Sequence, residues 1–211
     1  SGDYTIRVTS SAPMVSKFAI NNKAEYTLSK DVTLNHTVVG PPVEYMASES
    51  PTFDGAAWLP YVPNPPFTLS DGNDTKTVYF KVRDAAARES SAVSDTILLH
   101  VPLPVELFVN APPTTGNLVF TGEENVFYFT VADAATYIID TWEGTIKDNV
   151  MSLFQGDQTT LIESDEDDGE GRMARIVRAL APGTYYLRVR DASNRKTGAY
   201  QIRVMTNDTL I

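Results

Sequence analysis

Apolar residues along this chain alternate with polar ones at a period of two, in short runs that stop at Gly, Pro, Asn or Asp. A period of two sends successive side chains to opposite faces, so the pattern predicts half-buried β-strands separated by turns. In the first half the runs cover 16–20, 26–28, 32–34, 43–47, 67–69, 76–82 and 96–99. Asn21-Asn22 and the stretch 70–74 read as turns. The stretch 58–67 carries Pro60, Pro63, Pro65 and Pro66. It is excluded as a central strand, because proline cannot donate to the ladder. Seven short strands over about ninety residues is the count of an immunoglobulin-like sandwich.

Two prolines in Pro102-Leu103-Pro104 stiffen a linker and mark a seam. Beyond it, eight strand-like runs begin near Leu118, Val126, Thr136, Val150, Thr159, Ala174, Thr184 and Tyr200. Eight antiparallel strands suit a jelly roll. Residues 172–180 leave the period open between helix and strand, and are read as a strand because both neighbours are strands. The expected fold class is therefore all-β, two tandem β-sandwiches. An immunoglobulin-like one spans 12–102 and a jelly roll spans 103–211.

Composition narrows the function. The 211 residues include no cysteine, which excludes disulfides and thiolate metal sites. A net charge of −10 argues against a nucleic-acid partner, since phosphate binding needs a basic surface. No apolar run is long enough for a membrane helix. Catalytic signatures are also missing: His36 and His100 are isolated, and no nucleophile elbow, zinc-protease helix or phosphate loop occurs. Asp and Glu are abundant enough that a glycosidase dyad stays open on residue type alone. The expectation is a chain without catalysis of its own. The sequons at Asn35, Asn73 and Asn207 are read as incidental.

The second half resembles the bacterial pre-peptidase C-terminal domain over 116–204. The ordered pieces are Gly122-Glu123-Glu124-Asn125-Val126-Phe127-Tyr128-Phe129, Lys147-Asp148-Asn149-Val150-Met151-Ser152-Leu153-Phe154, Asp165-Glu166-Asp167-Asp168-Gly169, Ala181-Pro182-Gly183-Thr184-Tyr185-Tyr186-Leu187-Arg188-Val189 and Thr197-Gly198-Ala199-Tyr200. The resemblance implies a secreted sandwich appended to exported enzymes. The first half is similar to immunoglobulin-like repeats of large bacterial surface proteins, carried by Phe18-Ala19-Ile20-Asn21-Asn22, Gly55-Ala56-Ala57-Trp58 and Lys76-Thr77-Val78-Tyr79-Phe80-Lys81-Val82-Arg83-Asp84. It implies a spacer or adhesive module. Together they imply an extracellular or cell-surface accessory pair that contacts a polysaccharide, a protein matrix or neighbouring repeats. The alternatives are a pure spacer and the tail of an exported protease or glycosidase.

Six of the eight residues in 163–170 are acidic. Such a run reads either as a solvated loop or as oxygen ligands for Ca²⁺. The spacing is not that of an EF-hand, because Glu170 stands at the glycine position counted from Asp165. Certain relatives bind calcium through such a loop. That implies a structural Ca²⁺ at Asp165, Asp167 and Asp168, joined by Asp148, while Glu106 and Asn110 are the candidates in the segment before the first strand. Among aromatics, Trp58 and Tyr61 lie in the proline-rich loop, where they either anchor it or contact a ligand. Trp142 alternates with Ile138 and Asp140, and Asp140 marks that face as exposed, so Trp142 is the preferred surface contact. Tyr185, Tyr186 and Tyr200 are read as core or sheet-face residues rather than as ligand platforms.

Finally, Gly2-Asp3-Tyr4-Thr5-Ile6-Arg7-Val8 is echoed by Gly198-Ala199-Tyr200-Gln201-Ile202-Arg203-Val204. The echo predicts that 1–11 carries the closing strand of a preceding repeat, paired with a sheet edge of the first domain or of a neighbouring molecule.

Overall fold

Two clusters of buried apolar side chains, one on each side of the proline seam, organise the chain into a unit ending at Val101 and another beginning at Pro102. A computed structural model describes residues 11–207. The strand expected at 2–8 lies outside the described residues.

In the first unit the strands are β1 (Met14–Ile20), β2 (Tyr26–Thr27), β3 (Asp31–Val39), β4 (Glu44–Ser48), β5 (Leu59–Pro60), β6 (Pro66–Thr68), β7 (Thr75–Arg83) and β8 (Val93–Leu99). They form two sheets, β1-β3-β6 and β2-β8-β7-β4-β5. Both proline-bearing strands, β5 and β6, sit at sheet edges, where a missing N–H is tolerated. All pairings are antiparallel except β2 with β8, which run parallel with Tyr26 opposite Leu98 and Thr27 opposite Leu99. Ile20, Leu34, Val78, Phe80, Val82, Ile97 and Leu99 fill the space between the sheets. Phe80 is the hub: Phe18 and Tyr45 stack on it at 5.2 and 5.7 Å, and His36 lies over it at 4.6 Å.

The predicted turns form by polar capping. Asn21, Asn22 and Lys23 all adopt positive φ, which asparagine tolerates better than most residues. Asn21 accepts the Thr33 N–H through its side chain, and Asn35 accepts that of Asn22. Buried Asp95 accepts the Ile20 N–H and pairs with Lys23. The 70–74 turn wraps the buried ammonium of Lys76, which donates to Ser70 Oγ and the Asp71 carbonyl and pairs with Asp74 at 2.7 Å.

The second unit contains β9 (Val105–Glu106), β10 (Thr114–Leu118), β11 (Asn125–Val131), β12 (Ala135–Glu143), β13 (Asn149–Phe154), β14 (Leu161–Asp165), β15 (Arg175–Leu180), β16 (Gly183–Asp191) and β17 (Gly198–Thr206). Its sheets run β10-β17-β12-β15 and β14-β13-β16-β11-β9. Without β9 this is the interleaved order of an eight-stranded jelly roll. β9 was not anticipated, and it pairs in parallel with β11. β10 ends at Leu118 rather than beginning there. Its inner position is Gly116, filled by the ring of Tyr200, so the strand shows little apolar alternation.

β14 starts at Leu161 rather than near Thr159, because Asp157 holds residues 159 and 160 in the preceding turn. Its carboxylate accepts the Thr160 hydroxyl and the N–H groups of Thr159 and Thr160. These bonds, the Thr160 hydroxyl first, lower its pKa to about 2. An NMR titration should find that value rather than the ordinary carboxylate value of about 3.9. The folded value is the lower one, so the stability this turn contributes is complete above about pH 4 and is lost as pH falls towards 2.

Candidate functional site

The acidic loop follows β14. Asp165 Oδ2 accepts the N–H groups of Asp168 at 3.2 Å and Arg175 at 2.8 Å, so one carboxylate oxygen ties both ends of the loop. Gly169 donates to the Met173 carbonyl, and a Cβ at this glycine would lie 2.4 Å from that oxygen. The closure brings carboxylate oxygens of Asp165, Asp167 and Asp168 within 4.8 Å of one another. That donor set suits a hard cation, which takes several oxygens from a flexible loop. Asp148 is not brought to this group; it pairs with Arg172 at 3.1 Å. Glu106 lies in β9, and Asn110 accepts the Thr206 N–H.

Beside the loop stands Trp142, and here the expectation of an exposed face fails. Asp140 is only 7% exposed and Ile138 is buried, so both faces of β12 are covered over 137–141. Asp140 lies between two guanidiniums, Arg175 at 2.9 Å and Arg203 at 3.3 Å. A carboxylate neutralised in this way can be covered, so its charge did not mark a solvent face. Trp142 is half-buried, with the Arg203 guanidinium 4.9 Å from its ring centroid. The two line a concavity of about 320 Å³ with Asp140, Thr141, Glu170 and Arg175.

The two aromatics of the proline-rich loop are placed differently. Trp58 is half-buried, with Lys81 at 5.1 Å and Arg83 at 4.5 Å from its ring. Tyr61 packs on the first core and bonds His36 Nε2 through its hydroxyl at 3.1 Å; burial pushes its phenol up. Tyr61 thereby anchors the loop, whereas Trp58 lies over two cations on the outer face of β7, outside the first core.

Register assembles a surface that the sequence reading did not identify. On the outer face of the five-stranded sheet, Phe154 stands opposite Tyr186, and Tyr186 opposite Tyr128. Glu106 completes this row across the strands. All three rings are half-buried, the tyrosine centroids are 5.9 Å apart, and the Arg188 guanidinium lies 4.9 Å from the Phe154 ring. Partial burial, and after it the charge of Glu106, push the Tyr128 phenol up. The row is therefore an aromatic strip edged by one cation and one anion, chemistry that stacks on sugar rings or packs on extended peptides. A signal for it existed: Tyr128, Phe154 and Tyr186 each alternate with core residues. Nothing within one strand shows that they align.

Residues 123–191 match the family model described as bacterial pre-peptidase C-terminal domain. This bears out the resemblance read from the second half; the first half lies outside that match. No curated protein matches the chain. Among solved structures, the pre-peptidase C-terminal domain of a Bacillus anthracis collagenase is 20% identical, with a TM-score of 0.42, covering 50% of this chain and 97% of that one. Carbohydrate-binding modules of the β-sandwich superfamily are 13% identical, with a TM-score of 0.34, over 92% of this chain and 98% of theirs. Bacillus thuringiensis chitinase ChiA74 is 12% identical, with a TM-score of 0.34, covering 95% of this chain and 28% of the chitinase.

Proposed function

We propose that a chain carrying the pre-peptidase C-terminal domain at 123–191 works as a non-catalytic accessory pair of an exported bacterial protein, with the second sandwich holding an extracellular polymer. The observation that carries this reading is the in-register row Phe154, Tyr186, Tyr128 on an outer sheet face. Among the described residues, no helix is long and apolar enough to cross a membrane. Retention on cellulose, chitin and collagen tests the reading. The wild-type chain should be retained on at least one, and Tyr128→Ala/Tyr186→Ala/Phe154→Ala should weaken retention at least tenfold, the size expected when central anchors are removed. Trp142→Ala tests the concavity beside the acidic loop as a second contact. Absence of retention on every matrix favours the spacer reading. Tyr61, packed on the first core, favours that role for the first sandwich.

Asp165, Asp167 and Asp168 are the residues that would hold a structural Ca²⁺ in this reading. Its chemistry there is charge neutralisation, drawing together three carboxylates that otherwise repel. A cation bound by the native state alone must raise the melting temperature. The expected result is a higher value in Ca²⁺ than in chelator, abolished by Asp167→Asn/Asp168→Asn; equal values remove the metal.

A further inference from the structure

The row on the outer face of the five-stranded sheet is longer than its three rings. Phe154 stands opposite Leu161 of β14, which is 55% exposed. The row therefore runs Glu106, Tyr128, Tyr186, Phe154, Leu161 and crosses all five strands. Four strand spacings of about 4.8 Å give it a length of about 19 Å. Polar side chains border it on both sides. Thr130 and Thr184, both exposed, stand opposite each other along one border. Along the other, Arg188 stands opposite Ser152, whose Oγ lies 2.9 Å from that of Ser164.

Three features of this row select its occupant. The first concerns the backbone. Along the row β11, β13 and β16 each have a neighbouring strand on both sides, so their N–H and C=O groups bond within the sheet. An extended peptide laid across this face would cover its own backbone groups without giving them partners, at a cost in affinity. A sugar whose substituents are all equatorial carries C–H bonds on its faces and polar groups at its rim. Its faces can meet the rings while its rim reaches the bordering hydroxyls and the Arg188 guanidinium. The second feature is charge. Glu106 is offset by Arg188, and the chain carries −10 overall, so the match is with an uncharged polymer. The third is twist. The planes of Tyr128 and Tyr186 meet at 34°, which a single chain can follow by turning at its linkages and a flat crystalline face cannot. Equatorial linkages also keep such a chain straight, as the row is. Resting on the polymer-holding role proposed above, we infer that the row binds one β-1,4-linked chain of glucose-configured sugars. The chain lies across the strands, with about one sugar to each strand spacing.

Calorimetric titration of the full chain with cello- and chito-oligosaccharides of increasing length tests this. Malto-oligosaccharides of the same lengths, built from glucose but curved, serve as the control. In at least one straight series affinity should rise about tenfold from the disaccharide to the pentasaccharide and then level off, because longer chains overhang the row. Leu161→Ala, a change at an exposed side chain, should weaken the pentasaccharide about threefold and leave the trisaccharide unchanged, since the three rings suffice for the shorter ligand. Affinity independent of length, or curved chains bound as tightly as straight ones, overturns the inference. Retention on collagen without binding of either straight series also overturns it, and leaves the accessory reading standing. Retention on no matrix, with no oligosaccharide bound, overturns both.

Discussion

Phe80→Ala is expected to cost the first sandwich about 3–5 kcal/mol, the usual range for truncating a buried aromatic. Phe80 is fully buried, and three rings, Phe18, His36 and Tyr45, rest on it from both sheets. Removing it leaves a cavity that no single neighbour can fill, since each is already held by its own strand. His36 is also bonded to Tyr61, so the loss should loosen the proline-rich loop. Trp58 reports on that loop, and its fluorescence in a Trp142→Phe background follows the denaturant midpoint. An unchanged midpoint would mean that the ring cluster is not the core of this unit.

The second large effect is expected at Gly116. Alanine there puts a Cβ 2.3 Å from Tyr200 Cζ. The ring has nowhere to go, because it is fully buried, meets Phe127 edge-on and is fixed by its hydroxyl at Asn125. Overpacking costs about 1–3 kcal/mol when neighbours can shift, and here the upper end is expected. Gly116→Ala combined with Tyr200→Leu should cost less than the sum of the two singles, because the smaller side chain frees the space the methyl needs. Strict additivity would show that glycine and ring do not compete for one volume.

Gly116 also shows why the fold was legible in most places and not in others. Strands such as β7 and β16 declare themselves because a run of inner positions, Val78, Phe80 and Val82 in one and Tyr185, Leu187 and Val189 in the other, carries its own apolar side chains. β10 does not, since its inner position is glycine and the filling ring belongs to a residue more than eighty positions away. Asp140 misled for a related reason: the two arginines that cover it come from β15 and β17. The row of Phe154, Tyr186 and Tyr128 was hidden because alignment is a property of register between strands, not of any strand alone. The three aspartates of the acidic loop, by contrast, are close in sequence, and local closure was enough to gather them.

In the spacer reading, the parallel pairing of β2 with β8 would set how the first sandwich responds to tension. β2 follows β1 in the chain and β8 closes the sandwich, so once β1 is released, tension on the two ends would slide β2 and β8 past each other along their length. The Leu98 N–H to the Glu25 carbonyl and the His100 N–H to the Thr27 carbonyl must then break together. In the second sandwich β10, which follows the two-residue β9, and the exit strand β17 are antiparallel neighbours, with Thr114 opposite Ile202. The same tension opens that pair one bond at a time, from one end. Under load the first sandwich behaves as a clamp and the second as a zipper, so extension would begin in the second and spare the first.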